Sequence, residues 1–216
     1  SFLDPTLTYT VSPYQTACGA ADMMSHILEV YFNLNEDLFM LDSMMEAMLK
    51  TIVKFAPVAI AEPENYEARA NLMWCSSWAI NGFINGGRRK AWSCHPMEHE
   101  LSAIYDIAHG HGLAILTPRW MEYCLEESNA HRYVSLGVNV FGIDPKGEPM
   151  AIAKECIERM REFMSVTLNF PYTFTEVGIK REDFATMARK ACRYGAIRGF
   201  KTLEPQDVER IYEMCI

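Results

Sequence analysis

The sequence lacks several features that would associate the protein with a membrane, a secretory pathway or nucleic acid. No run of about 18 or more uncharged apolar residues occurs, so no segment is expected to span a bilayer. Residues 1–5 contain neither a basic stretch nor an apolar one, and no signal peptide is expected. Lys and Arg number 20 against 28 Asp and Glu, and the net charge of −8 disfavours contact with a phosphate backbone. We therefore expect no membrane partner and no nucleic-acid partner.

The chain also lacks the cysteine and glycine patterns of redox and nucleotide-binding proteins. Its seven cysteines are an odd number and include no C-x-x-C pair, so we expect reduced thiols in a cytoplasmic protein. Neither G-x-G-x-x-G nor G-x-x-x-x-G-K occurs. The one glycine-basic cluster, residues 86–90 (GGRRK), follows a predicted helix, and we interpret it as an exposed loop. The chain by itself therefore carries no recognisable nucleotide-binding site.

Strand signals are scarce, and helical patterns fill most of the chain. Only residues 7–11 and 172–175 are typical of short extended segments. Ser12-Pro13-x-Gln15 is typical of a helix start, because serine caps, proline suits the first turn and glutamine closes a capping box. Such patterns predict helices over 13–31, from about 36 or 42 to before 63, from a cap at 65 through 83 to the glycines at 86–87, after 93, after 112, and over 129–141, 148–167, 181–194 and 205–214. The sequence therefore predicts an all-α fold, a single bundle of about eight or nine helices.

The histidines are concentrated in one part of the chain. Four of the six fall within residues 95–111, namely His95, His99, His109 and His111. His26 follows Asp22 by four residues, a spacing that puts two side chains on one helical face, and His95 and His99 share that spacing. We expect glycines at 110 and 112 to break the helix, so that a chain reversal returns His109 to the same site. One carboxylate and several imidazoles suit zinc, iron, nickel or copper, and the pattern predicts a divalent metal site.

Three functions fit this residue set. Residues 95–99 (HPMEH) match the H-x-x-E-H pattern of a zinc metallohydrolase of the inverted-zincin type, in which Glu98 would activate water. That interpretation requires the helix to begin near Pro96, and it leaves the other candidate ligands unused. Metal-assisted oxidation of an alcohol uses the wider set. In the third alternative the chain is a helical interaction module whose histidines are incidental.

Several segments of the chain resemble one enzyme family. Residues 19–29 (GAADMMSHILE) look like the D-x-x-x-H-x-x-E segment of the iron-containing (group III) alcohol dehydrogenases. Residues 95–103 (HPMEHELSA), followed by 109–114 (HGHGLA), look like the histidine signature of that family. Residues 116–123 and 137–143 are similar to its NAD(P)H-dependent butanol dehydrogenase branch, and residues 203–212 resemble its last helix. The resemblance extends over essentially the whole chain.

The resemblance implies a fold and a set of site residues. It implies that residues 1–216 are a dehydroquinate synthase-like C-terminal helical domain, and that the family's N-terminal α/β nucleotide-binding domain is absent from this chain. It implies four ligands to Fe²⁺, or in some members to Zn²⁺ or another divalent metal: Asp22, His26, His95 and His109. His99 corresponds to the family's histidine beside the nicotinamide, which makes it the catalytic and cofactor-binding candidate and removes Glu98 from its hydrolase role. His111 is a candidate group behind the ligands.

The resemblance also implies a reaction. It is the interconversion of a primary alcohol such as butanol and its aldehyde, with NAD(P)H as cofactor of the full-length enzyme. The metal holds the alcohol oxygen, a hydride passes to C4 of the nicotinamide, and a proton leaves through His99 or water. We expect this chain alone to bind metal without turning over alcohol. Homodimers are common in the family.

Overall fold

Nine α-helices occur in residues 1–33, 38–86 and 92–216, the part of the chain that the computed structural model describes. In chain order they are α1 (Pro13–Tyr31), α2 (Phe39–Ala61), α3 (Tyr66–Ile80), α4 (Cys94–Tyr105), α5 (His109–Cys124), α6 (Ala130–Phe141), α7 (Pro149–Glu162), α8 (Phe184–Ala191) and α9 (Pro205–Glu213). The prediction of an all-α bundle is confirmed. The predicted glycine-basic loop falls, apart from Gly86, on residues outside the described ranges.

Side-chain caps begin several helices where the sequence predicts them. The hydroxyl of Ser12 accepts a hydrogen bond from the main-chain N–H of Gln15 at 3.2 Å, and Pro13 occupies the first position of α1. At α3 the side chain of Asn65 accepts the N–H of Ala68 at 3.0 Å. Each cap satisfies a main-chain donor that has no partner within the helix. These local bonds explain why the starts of α1 and α3 were predictable.

The two predicted strands are wrong. The first segment overlaps a short 3₁₀-helix, Pro5–Thr8, whose start is capped by the carboxylate of Asp4, which accepts the N–H of Thr6. The second is a turn, in which the carboxylate of Glu176 accepts N–H bonds from residues 172 and 173. Among the described residues, β pairing is limited to one isolated bridge between Ile197 and Leu203. Local capping carboxylates therefore outweigh the β propensity of these Thr- and Tyr-rich segments.

Three helices end clearly before the predicted position. Helix α3 ends at Ile80, because Gly82 adopts φ = 90° and the chain turns into a short 3₁₀-helix that contains Phe83. Helix α7 passes into a π-helical turn, Phe163–Thr167, within the predicted span. Helix α8 ends at Ala191, earlier than predicted. Helix ends depend on the surroundings of a few residues, and periodicity locates them only approximately.

Helix α5 is the most buried element, and it runs from the hydrophobic core to the cluster of histidines. Every residue from 110 to 121 is buried, and the helix contacts α1, α4, α7 and α9. Near its C-terminal end Trp120 packs edge-to-face on Phe32, with ring centroids 5.9 Å apart. Its N-terminal end meets α1 and α4. A helix enclosed on this many sides holds its first residue, His109, in a defined position.

Two further features concern the thiols and the character of the helices. All seven cysteines are unpaired and buried. In the described ranges we find no helix with both the length and the apolar character needed to cross a membrane.

Candidate metal centre

Helix α1 contributes two polar side chains to the face that it turns toward α4 and α5. Asp22 and His26 lie one turn apart, and Nε2 of His26 lies 3.5 Å from Oδ1 of Asp22. The side chain of Asp22 retains 35% of its accessibility, whereas that of His26 is mostly buried. The predicted i, i+4 pair therefore forms, with its open side at Asp22.

Helices α4 and α5 bring two further imidazoles to the same carboxylate oxygen. Nε2 of His95, in the first turn of α4, lies 3.6 Å from Oδ1 of Asp22, and Nε2 of His109, the first residue of α5, lies 3.7 Å from it. The ring centroid of His95 lies 4.5 Å from that of His26 and 5.1 Å from that of His109. The structure thus brings together all four predicted ligand side chains, from three separate helices.

The chain reverses between α4 and α5 by a different route from the one predicted. Helix α4 ends at Tyr105 and is followed by Asp106, which adopts φ = 52°, and α5 already begins at His109 with both glycines inside its first turn. A Cβ on Gly110 would lie 2.0 Å from the carbonyl oxygen of Cys18 in α1, and one on Gly112 would lie 2.6 Å from Oε1 of Glu98 in α4. The two glycines therefore serve close packing instead of breaking a helix.

Glu29 lies behind His95. Its Oε2 lies 2.7 Å from Nδ1 of His95, and its Oε1 accepts the main-chain N–H groups of Ser93 and His95, each at 3.0 Å, as well as that of Cys94. The carboxylate thus occupies the N-terminus of α4, where a negative charge is favourable.

Glu98 lies behind His109. Its side chain is 0% exposed, its Oε2 makes a short hydrogen bond with Nδ1 of His109, and its Oε1 accepts the hydroxyl of Ser102 at 2.5 Å. The sequence did not predict that Glu98 and Glu29 lie behind the candidate ligands. The available signal was a glutamate three residues after a histidine, at His26 and again at His95, but each glutamate contacts the histidine of another helix.

Electrostatics in the cluster follow from burial and opposite charge. Burial alone would raise the pKa of Asp22, but His95 and the charges of the neighbouring imidazoles lower it below its ordinary value. Burial alone would lower the pKa of His95, but Asp22 and Glu29 on its two sides outweigh that effect and raise it to about 9. The carboxylates of Asp22 and Glu29 on either side of this imidazole therefore favour positive charge at this position.

The residues present fit a divalent cation. Oδ1 of Asp22 and Nε2 of His95 are buried, and within the described ranges neither atom has a hydrogen-bond partner. Ligand atoms of Asp22, His95 and His109 all lie within 4.8 Å of one another. Ligands held about 2.1 Å from one ion in a tetrahedral arrangement lie about 3.4 Å apart, close to the 3.5–3.7 Å between Asp22 and the three imidazoles. The ligand atoms of Asp22, His95 and His109 are therefore close enough together to share one small cation.

The other two histidines of the cluster differ from each other. His99 is exposed and stacks on His109, with centroids 5.5 Å apart, and partial burial together with His109 lowers its pKa. His111 is buried, with Nε2 2.6 Å from the carbonyl oxygen of Pro171 and Nδ1 3.2 Å from the hydroxyl of Tyr14. His99 therefore borders the cation position, whereas His111 ties α5 to α1 and to the 168–172 segment.

The chain is similar to known proteins over almost its whole length. The family profile described as Fe-containing alcohol dehydrogenase family, C-terminal, matches residues 16–216. The chain belongs to this family. It is 48% identical over 215 residues to NADH-dependent butanol dehydrogenase A of Clostridium acetobutylicum, a match that covers 99% of this chain and 55% of that protein.

Solved structures show the same fold. The crystal structure of NADH-dependent butanol dehydrogenase A from Thermotoga maritima superposes with a TM-score of 0.90 and 33% identity, over 98% of this chain and 55% of that one. The substrate- and cofactor-free aldehyde reductase YqhD from Escherichia coli gives a TM-score of 0.91 at 29% identity, over 99% and 56%. The chain spans about half the length of the relatives it matches. None of these relatives supports the metallohydrolase alternative.

Proposed function

We propose that this chain is the metal-binding half of an NAD(P)H-dependent alcohol dehydrogenase that interconverts a primary alcohol, such as butanol, and its aldehyde. The observation that carries the proposal is the approach of three imidazole Nε2 atoms to within 3.5–3.7 Å of one carboxylate oxygen. Membership of the Fe-containing alcohol dehydrogenase family supports it. So does the 48% identity to a protein named as a butanol dehydrogenase.

Four residues would hold the metal, for which we propose Fe²⁺, with Zn²⁺ as the other ion that the donor set accepts. The ligands would be Asp22, His26, His95 and His109. The bound ion would supply Lewis acidity that polarises the oxygen of the alcohol or aldehyde. The protein contributes a partly open position, since Asp22 and His109 remain about one-third exposed while His95 is buried.

His99 would accept the proton of the alcohol and lie beside the nicotinamide ring. It is exposed beside His109, so its ring is accessible from the open side of the cluster. An imidazole there can accept the proton of the alcohol and pass it to water. Its side chain would also limit where the nicotinamide ring lies.

The phosphates of NAD(P)H need a second set of residues. This chain has no glycine-rich phosphate loop. We propose that the phosphates are bound by a second part of the enzyme, equivalent to the half of the relatives that this chain does not match. This chain alone should then bind a divalent metal without oxidising alcohol. A homodimer and a cytoplasmic location stay predictions, the latter in keeping with the unpaired cysteines.

The test compares metal content and activity. We expect purified wild-type chain to bind about one Fe²⁺ or Zn²⁺ per molecule, and His95→Ala and Asp22→Ala to bind far less under the same conditions. We expect no NAD(P)-dependent oxidation of butanol by this chain alone, and metal-dependent oxidation by the complete enzyme. Absence of stoichiometric metal in the wild type would favour the interaction-module alternative. Measurable turnover by the chain alone would contradict the division of roles between the two halves.

A further inference from the structure

We propose that Glu29 and Glu98 are positioning residues that hold the rings of His95 and His109 with a proton on Nδ1, so that both Nε2 atoms are left to bind the cation beside Oδ1 of Asp22. The inference rests on the proposed function, because it assigns these two carboxylates a task at the same cation site. It extends the site from its four candidate ligands to the groups that orient two of them.

At His95 the geometry leaves one tautomer. Oε2 of Glu29 lies 2.7 Å from Nδ1 of His95, and a carboxylate has acceptors only, so Nδ1 must carry the proton. The other oxygen of Glu29 is held by the main-chain N–H groups that begin α4. The carboxylate is therefore fixed relative to the helix that carries His95. The ring cannot rotate about its χ2 angle without losing this hydrogen bond.

At His109 a carboxylate again contacts Nδ1, but a side-chain hydroxyl holds its other oxygen. Glu98 is 0% exposed and bonds Nδ1 of His109 through one oxygen and the hydroxyl of Ser102 through the other. A Cβ on Gly112 would lie 2.6 Å from Oε1 of Glu98. The first turn of α5 therefore leaves the space that this carboxylate occupies, since any side chain at position 112 would collide with it.

The two bonds connect three helices in sequence. Glu29 of α1 orients an imidazole of α4, and Glu98 of α4 orients an imidazole of α5. As a result, the Nε2 atoms of His95 and His109 lie 3.6 and 3.7 Å from the same oxygen of Asp22. Carboxylates that accept the second N–H of a ligating histidine fix its orientation and strengthen its donor atom, and their loss lowers metal affinity about 10–100-fold.

The test uses Co²⁺ and Zn²⁺ as probes on the full 216-residue chain. Co²⁺ titration followed by visible absorption reports affinity and coordination geometry. Long-range ¹H–¹⁵N spectra of the Zn²⁺-loaded chain report which ring nitrogen of each histidine carries the proton. The variants are Glu29→Gln, Glu98→Gln and Glu98→Leu. The matched control is Glu46→Gln, a carboxylate 8% exposed that accepts 2.9 Å hydrogen bonds from Tyr31 and Asn139.

We expect Co²⁺ affinity to be highest in the wild type, lower in Glu98→Gln and lowest in Glu98→Leu, the last about 10–100-fold weaker than wild type. Glu29→Gln should also have a lower Co²⁺ affinity than the wild type. Each variant should change the Co²⁺ spectrum. Glu29→Gln should change the Nδ1–H signal of His95, and the Glu98 variants should change that of His109. Glu46→Gln should leave affinity, spectrum and signals unchanged even where it lowers thermal stability. Circular dichroism identifies any variant that does not fold, and Glu98→Gln, which preserves side-chain volume, then carries the comparison.

Two results would be decisive against these ideas, and they are separable. A wild-type chain that takes up no Co²⁺ or Zn²⁺ contradicts the proposed function itself. A wild-type chain that binds Co²⁺, with both Gln variants matching its affinity, spectrum and Nδ1–H signals, overturns only the positioning role of Glu29 and Glu98.

Discussion

Gly110 packs against the main chain of Cys18 so closely that a Cβ at position 110 would lie 2.0 Å from the Cys18 carbonyl oxygen. Cys18 belongs to α1, one turn before Asp22, and Gly110 follows His109 at the start of α5. The distance between these two backbones therefore decides how far the imidazole of His109 lies from the carboxylate of Asp22.

Gly110→Ala should destabilise the chain by about 1–3 kcal/mol or more, because a rigid backbone oxygen must move to admit the methyl group. Urea denaturation measures the change in the free energy of unfolding. Gly19→Ala is the matched control within α1, since an added Cβ there meets nothing within 4 Å. We expect that control to stabilise the chain by about 0.5–1 kcal/mol. Equal effects of the two substitutions would contradict the close approach of α1 and α5.

The metal content of two histidine variants separates the dehydrogenase from the hydrolase. His109→Ala should lose most of its bound metal, because His109 lies 3.7 Å from Asp22 and is one of the proposed ligands. His99→Ala should keep its metal, because His99 is proposed to act on the proton and the nicotinamide. Elemental analysis after gel filtration is the measurement. The inverted-zincin alternative requires the opposite ranking of these two variants.

Removing the metal should lower the stability of the folded chain. A cation that binds only the folded state contributes about 2.7 kcal/mol when its free concentration is about 100 times its dissociation constant. Chelation should therefore lower the thermal midpoint, and added Fe²⁺ or Zn²⁺ should restore it. Asp22→Asn serves as the control, since we expect its midpoint to respond to neither treatment. A wild-type midpoint that ignores chelator and metal alike would argue against the site.

A buried ion pair away from the site should matter for stability alone. The guanidinium of Arg132 donates to both carboxylate oxygens of Asp42, at 2.6 and 3.0 Å, in the interior between α2 and α6. Asp42→Ala removes both of these charge-assisted hydrogen bonds from a buried guanidinium, and we expect a loss of about 3–5 kcal/mol in the free energy of unfolding. Glu158→Ala, which breaks an exposed pair with Arg161, should cost less than about 1 kcal/mol. Comparable losses would show that the Asp42 pair is not shielded from water.

The thiols should be unreactive while the chain is folded. Burial raises the pKa values of Cys75, Cys124 and Cys215 to about 12, so almost no thiolate is present near neutral pH. An aromatic disulfide reagent should therefore label these residues only after unfolding in guanidinium, when all seven cysteines become accessible. Mass spectrometry of digested protein locates the label. Rapid labelling of Cys124 in the folded chain would contradict its place in the core.

Much of the fold was predictable because its signals are local. The Ser12 and Asn65 caps and the apolar periodicity between them act within a few residues, and α1 and α3 begin where the sequence predicts. The short segments at 7–11 and 172–175 were mispredicted for a related reason. Their β propensity is weak. The carboxylate of Asp4 caps a 3₁₀-helix that extends to Thr8, and the carboxylate of Glu176 accepts the N–H groups of residues 172 and 173.

The sequence alone determined the all-α class and the four candidate ligands, because helical spacing makes partners of residues one turn apart and the histidine segments resemble a known family. Only the tertiary structure decided that both glycines lie inside α5, and that Glu29 and Glu98 stand behind His95 and His109. Those contacts cross from one helix to another. Their distances depend on how closely α1, α4 and α5 pack, which is a property of the whole core and leaves no periodic trace along the chain.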